Sequence, residues 1–446
     1  MMKSKIYTLL LLIATMTFNA EAQTVVGGTL TSNTTWTAAG GPYVGNTIGD
    51  VVVVPPGITL TIEPGAIVHV RLSVHGSILA IGNSTDSIYW GYNVLLKMNQ
   101  LQQAEFHFCV FEKIQSGMLR LEVRNVAQNT YPGQPILIRN SSFYNAYIDI
   151  ASIDPVGPVA SSLDTLPKYI ALDVESCRFL TSSWGVLSTS WMLNKFENCY
   201  FGECMIGLAE VRHATMWQDT AGVWWPVDSV QNEQPGNWII GGLQIEPKEY
   251  TKLNQDTTVK NCIFKDNTDQ LQGGGFIGSG IVDNCYFEGN GIGAAIHGRI
   301  TNSMFINNRY GLSLSDSVVA TNNIVDNNTF GIASNTTGSL ALGGNWPLRL
   351  RYLLARNNII CNNTHNVRTP WQDTTFDFTG NYWCLIDSAS IASLIMDVND
   401  SLELGGTINF MDFDTITSAD DMIFPGDANH DQIASNIDFL QLGVFY

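Results

Sequence analysis

A chain of 446 residues with a net charge of −18, only 14% charged residues and 40 glycines is unlike several classes of protein at once. The negative charge makes nucleic acid or an anionic membrane surface a poor partner, and disfavours a polyanionic sugar unless calcium mediates. No stretch beyond the N-terminal region approaches the roughly eighteen apolar residues of a membrane span, so no transmembrane segment is predicted.

Residues 1–22 carry Lys3 and Lys5, an apolar run from Tyr7 to Ala14 and the small-residue exit Ala20-Glu21-Ala22. That is the pattern of a secretory signal peptide, and it predicts a mature protein that is secreted or held at the cell surface. In residues 23–100, Ile58-Thr59-Leu60-Thr61-Ile62 and Leu72-Ser73-Val74 alternate apolar and polar residues as half-buried strands do. This region is expected to cap the open end of a sheet and to form its first coils.

Residues 101–380 read as successive coils. Cys109, Cys177, Cys199, Cys262 and Cys285 each stand two residues before a phenylalanine (Phe111, Phe179, Phe201, Phe264 and Phe287), and Ser141 and Ser303 fill the same slot in other coils. Residues two apart on a strand share a face, so these are expected to form an inward ladder of small side chains, with the thiols free and acting as small hydrophobes. A disulfide between neighbouring turns, such as Cys262 with Cys285, is sterically conceivable, whereas zinc binding finds no CxxC pair. Between Val259 and Ile332 the unit repeats four times at about twenty residues, a period that means a solenoid. Equivalent asparagines should stack in two columns, Asn261, Asn284, Asn302 and Asn322 in one, Asn267, Asn290, Asn308 and Asn328 in the other. Asparagine suits both because it tolerates a left-handed turn and its amide can donate and accept along the stack.

This pattern resembles the right-handed parallel β-helix family, which includes pectate lyases, polygalacturonases and many bacterial surface proteins. The resemblance implies an all-β fold, a right-handed parallel β-helix. It leaves function open, because the same coil carries enzymes, adhesins and spacers. The Leu60-Thr61-Ile62-Glu63-Pro64-Gly65 segment is similar to the first coils of secreted members. Asn381-Tyr382-Trp383, followed by a short helix and a last strand, resembles their closing cap, here residues 381–415, with Cys384 where glycine is usual.

Longer excursions are expected near residues 125–134 and 153–168, and the largest is the insertion at 212–252. Its Trp217, Trp224, Trp225 and Trp238, beside Asp219, Asp228, Glu233, Glu246 and Lys248, have the composition of a sugar-binding groove. Pyranose faces stack on aromatic rings while carboxylates accept hydroxyl hydrogens. A loop packing its own tryptophans on the flank is the alternative. Asp219, Glu246 and Lys248 are the acid-base candidates if the flank is catalytic. His297-Gly298-Arg299 faintly resembles the His and Arg motifs of polygalacturonases, but the clustered aspartates that glycoside hydrolysis requires are missing from the neighbouring turns. The column Lys265, Glu288 and Asp326 is broken by Ile306.

In residues 416–446, Asp427, Asn429, Asp431, the carbonyl of Ile433 and Asp438 take positions 1, 3, 5, 7 and 12 of an EF-hand-like loop, whose oxygen ligands suit a structural Ca²⁺. The loop resembles half of a dockerin. It is also similar to a segment preceding the C-terminal sorting region of Bacteroidetes secreted proteins, which implies surface attachment through a further C-terminal region. The expectation is a surface structural, adhesive or glycan-binding protein whose partner is a polysaccharide or a host or cell-surface glycan. A polysaccharide lyase or glycoside hydrolase is the alternative.

Overall fold

The computed structural model describes residues 23–47, 49–97, 101–112, 119–125, 135–152, 170–189, 193–210, 216–218, 224–226, 238–240, 243–245, 257–268, 273–334, 352–369, 375–400, 404 and 406–414. The signal peptide and the calcium-loop residues Asp427, Asn429, Asp431, Ile433 and Asp438 lie outside them, as do Asp219, Glu246 and Lys248. The chain is a right-handed parallel β-helix. One sheet stacks 13 short strands and the other stacks 25, and every pairing within these two is parallel.

Each described coil contributes a strand of two to four residues to the short-strand sheet, as in Ile263–Lys265, Tyr286–Glu288, Met304–Ile306 and Ile324–Asp326. The central residue points inward, and register places the equivalent residue of the next coil directly over it. Phe111, Phe143, Phe179, Phe201, Phe264, Phe287 and Phe305 therefore stack ring on ring at 4.6–4.8 Å, all fully buried. Each such pair contributes about 0.5–1.5 kcal/mol beyond the area it buries.

The strand is bounded by left-handed residues on both sides. Asn261, Asn284, Asn302 and Asn322 precede it at φ of 52°, 51°, 51° and 58°, and Asp266, Gly289, Asn307 and Asn327 follow it at 54°, 66°, 56° and 55°. The first asparagine column is thus the left-handed corner that was predicted, and its amides link rungs, Asn284 Nδ2 donating to Asn261 Oδ1 at 2.9 Å. The second column works differently. Asn267, Asn290, Asn308 and Asn328 are almost wholly buried and sit one residue after the left-handed corner. Each Oδ1 accepts the backbone N–H of the equivalent residue one rung earlier (2.9–3.1 Å). Each Nδ2 donates to the carbonyl of the inward aromatic residue of that earlier rung (2.9–3.0 Å). These amides replace the sheet hydrogen bonds that the corner interrupts.

The inward slot before each phenylalanine also differs from a purely apolar ladder. Cys177, Cys199, Cys262 and Cys285 place Sγ 3.2–3.3 Å from the carbonyl two residues earlier, and Ser141, Ser303 and Asn358 donate to the equivalent carbonyl at 2.8–3.0 Å. The slot requires a small donor because the left-handed corner turns that carbonyl into the core. Asn323, Asn358 and Asn381 extend this ladder, two residues before Val325, Ile360 and Trp383.

Cys109, Cys177, Cys199, Cys204, Cys262 and Cys285 are free and buried. Burial pushes the Cys109 thiol up to about 12 and the Cys204 thiol up to about 11. No bond joins Cys262 to Cys285; the disulfide instead links Cys361 to Cys384, which had been read only as a glycine replacement. A maleimide probe at pH 8 should therefore label none of the six thiols in the folded protein and all six in denaturant, two more appearing only after reduction. Mass spectrometry reads the count, and labelling of the native ladder would contradict this packing.

Both ends are closed. At the N-terminal end Trp36 stacks on Tyr43 at 4.5 Å, and at the other Trp383 packs near Phe378 and Phe410 beneath a short helix, Ser388–Ala392. The Asp387 carboxylate caps that helix by accepting the Ser390 N–H at 2.8 Å.

Candidate functional site

Most of the longer connections of the chain fall at one kind of place. In each coil the long sheet receives two strands, and the segment between them is where excursions depart. Residues 98–100 separate Val94–Lys97 from Gln103–His107, 126–134 separate Leu119–Asn125 from Ile136–Arg139, and 153–169 separate Ala146–Ser152 from Ile170–Glu175. The insertion follows Ile206–Glu210 and ends before Thr258–Lys260, and residues 335–351 lie between Phe330–Ser334 and Tyr352–Arg356. Because these strand pairs stack in register, their connections open along a single seam parallel to the solenoid axis.

Three successive coils cross the seam without leaving it. Gly274–Asp283, Ile292–Thr301 and Tyr310–Thr321 are continuous strands. Close approach of backbones makes this possible: a Cβ on Gly280 would lie 2.3 Å from the Thr257 carbonyl oxygen, and one on Gly298 (φ 127°) 2.3 Å from that of Gly280. His297 lies in this crossing, opposite Ser279. On its other side Ile296 pairs with Leu314 and Gly298 with Val318, so Ser315, Asp316 and Ser317 oppose His297 alone. Arg299 is exposed two residues further on, in register with Ile281 and Val319. The topology thus brings His297 and Arg299 to a loop-free floor between the coils that carry the insertion and the 335–351 excursion.

Of the insertion, two antiparallel pairs are described. Met216–Gln218 pairs with Trp224–Pro226, placing Trp217 opposite Trp225, and Trp238–Ile240 pairs with Leu243–Ile245, placing Trp238 opposite Ile245.

Charge is arranged elsewhere, on the outer face of the second strand of three successive coils, Ile136–Arg139, Ile170–Glu175 and Leu193–Glu197. Arg139 bridges Asp173 at 2.8 Å and Glu175 at 3.1 Å, and Lys195 bridges Glu197 at 2.8 Å. Hydrogen bonding to Glu197 raises the Lys195 pKa. Each charge there has an opposite neighbour, which suits a structural ladder better than an acid-base pair. Sequence reading missed this column because its members are separated by excursions. The Lys265–Glu288 pair forms at 2.7 Å, and Ile306 does interrupt the column before Asp326. Among the described residues no group of three or more His, Cys, Asp or Glu could hold a metal ion.

A second aromatic ladder lies on the outer face of the long sheet, where Tyr310, Phe330 and His365 stack at 5.0 and 5.3 Å. The Arg309 guanidinium lies 5.4 Å from the Tyr310 ring centre and that of Arg368 5.7 Å from the Phe330 centre. Ring faces occupied by one another present only edges outward, so this ladder stiffens the sheet and offers no stacking platform for a sugar. Beside it, Ile206, Ala209, Ile277, Ile292 and Ala295 form a separate apolar cluster with Trp184 and Tyr310.

No protein-family model matches this chain, and no curated protein sequence matches it. Known structures with a similar course of chain are a periplasmic alginate epimerase, AlgG, and a tailspike protein, gp49, from Acinetobacter baumannii bacteriophage Fri1, a capsular polysaccharide depolymerase. The first is 10% identical with a TM-score of 0.29, covering 81% of this chain and 77% of its own. The second is 13% identical with a TM-score of 0.32, covering 83% of this chain and 58% of its own.

Proposed function

We propose that this protein is a secreted, surface-associated glycan-binding β-helix, and that its binding site is the seam around His297 and Arg299. The observation that carries the reading is the placement of the excursions. A long, loop-free floor with a histidine and an exposed arginine is bracketed by the coils from which the tryptophan-bearing insertion and the 335–351 segment depart. A linear sugar chain needs an extended floor, hydrogen-bond donors along it and aromatic faces at its edge. Trp217, Trp224, Trp225 and Trp238 supply the aromatic faces in this reading. The acidic loop with Asp427, Asn429, Asp431, Ile433 and Asp438 would supply the oxygen ligands of a structural calcium ion in this reading. Binding without cleavage is preferred to lyase or hydrolase chemistry because Asp173, Glu175, Glu197 and Glu288 are each held in a pair with a cation.

The test is a glycan screen of the mature protein with and without calcium, read both for retention and for release of reducing or unsaturated sugar ends. Retention is expected, without release. Trp224→Ala and Trp225→Ala together should lower retention at least tenfold, about 1.4 kcal/mol or more. Undiminished retention would assign these tryptophans to packing, and release of sugar ends would make the seam an active site.

A further inference from the structure

The Cys361–Cys384 disulfide joins the last rung of the short-strand sheet to the first residues of the closing cap. Cys361 ends Ile359–Cys361 and is buried, whereas Cys384 is exposed. Tyr382 bridges Ile359, so Cys384 occupies in the next rung the position that Cys361 occupies in its own, with Cα atoms 5.4 Å apart. The described residues beyond Cys384 belong to the cap. The described hydrogen-bonded strands that dock it are short: Ile395–Met396 against Val367–Arg368, and Thr407–Asn409 against Thr375–Asp377. The six other cysteines are sealed in the core, out of reach of exchange.

We propose that Cys361–Cys384 is a redox latch that locks the C-terminal cap onto the solenoid once the chain is in an oxidising compartment. Opening it requires a dithiol reductant. One thiolate of the reductant attacks the exposed Cys384 sulfur, forming a mixed disulfide and expelling Cys361 as a thiolate. The second thiol of the reductant then attacks that mixed disulfide, closing its own cyclic disulfide and releasing Cys384. Two electrons pass to the protein, and the two cysteines take up the two protons that the reductant loses. A monothiol stalls at the first step, because the Cys361 thiolate is expelled into a buried site where charge is disfavoured, and it recaptures the nearby Cys384 sulfur. With the latch open, the described cap is held by its short strands, by backbone hydrogen bonds such as Asn366 N–H to the Leu394 carbonyl and Asp414 N–H to that of Asn381, and by packing of Ile391 and Ile408. The segment from Cys361 to Cys384, which carries the cap, then regains the freedom of a loop spanning 23 residues.

Hydrogen exchange on the folded protein, oxidised, treated with dithiothreitol, or treated with an equal thiol concentration of mercaptoethanol, tests this. Dithiothreitol should speed exchange at Ile395–Met396 and Thr407–Asn409 by roughly ten- to a hundredfold. The strands around Phe264, Phe287 and Phe305 should keep their rates, and mercaptoethanol should leave the cap near its oxidised rate. Cys384→Ser should reproduce the fast cap without reductant. Unchanged cap exchange after complete reduction would overturn the latch, and equal opening by both thiols would overturn the recapture step.

Discussion

Asn308→Ala is expected to lower stability by about 3–5 kcal/mol, since each buried group it strands costs about 1–3 kcal/mol. The Asn308 Oδ1 accepts the Asn290 N–H at 2.9 Å and the Asn290 Nδ2 at 3.0 Å, while its own Nδ2 donates to the Phe287 carbonyl at 2.9 Å and the Asn328 Oδ1 at 3.0 Å. Alanine takes the acceptor from the buried Asn290 N–H and one donor from the Phe287 carbonyl. Asn308→Asp adds a pH signature. Facing the Phe287 carbonyl, the new carboxyl must be protonated to donate, so burial and this contact raise its folded pKa above the unfolded value of about 3.9. The sign follows: the variant is most stable below that unfolded value and loses stability as pH rises through the raised folded one. Denaturant titrations at pH 4 and pH 8 measure both effects. A variant Asn308→Asp with equal stability at the two values would show that the ladder tolerates a charge, against the geometry above.

Gly293→Ala should be as damaging for the opposite reason, too much atom instead of too little. Gly185, Gly207, Gly275, Gly293, Gly311 and Gly331 stack along the inward turn into the long sheet. A Cβ at Gly293 would sit 2.5 Å from the Gly311 carbonyl oxygen and 2.9 Å from Cδ1 of Phe305. Neither neighbour can yield, because one is backbone and the other is held between the Phe287 ring and Val325 of the next rung, so about 3 kcal/mol or more is expected. Gly27→Ala, with nothing within 4 Å, is the control and should change stability by less than about 0.5 kcal/mol. Guanidinium unfolding of the two variants beside the parent checks this, and equal midpoints would mean that the coil can expand locally.

Much of the solenoid is legible from local pattern. The two-residue spacing from Cys262 to Phe264 places both on one face, and the corner asparagines reveal themselves by recurring at the rung period, because each rung repeats the same local conformational problem. The candidate site was legible only as isolated residues: His297 and Arg299 stand out in the sequence, but it does not show that the strands flanking the insertion and residues 335–351 stack in register with the ones that carry them.

By itself, then, the sequence determined the class of coil, the inward phenylalanines and the left-handed corners, since these depend on residues within one turn. Tertiary structure decided which turns are neighbours and what each polar side chain serves. Phe201 lies directly beneath Phe264 although a 63-residue step separates the equivalent Asn198 and Asn261, because rung-to-rung hydrogen bonding sets register whatever the length of chain looped out between. The same stacking carries Cys361 to Cys384, builds the Arg139 pairs with Asp173 and Glu175, and lets the Asn308 Oδ1 accept the N–H of Asn290 one rung earlier. Those relations exist only once the coils are laid on one another.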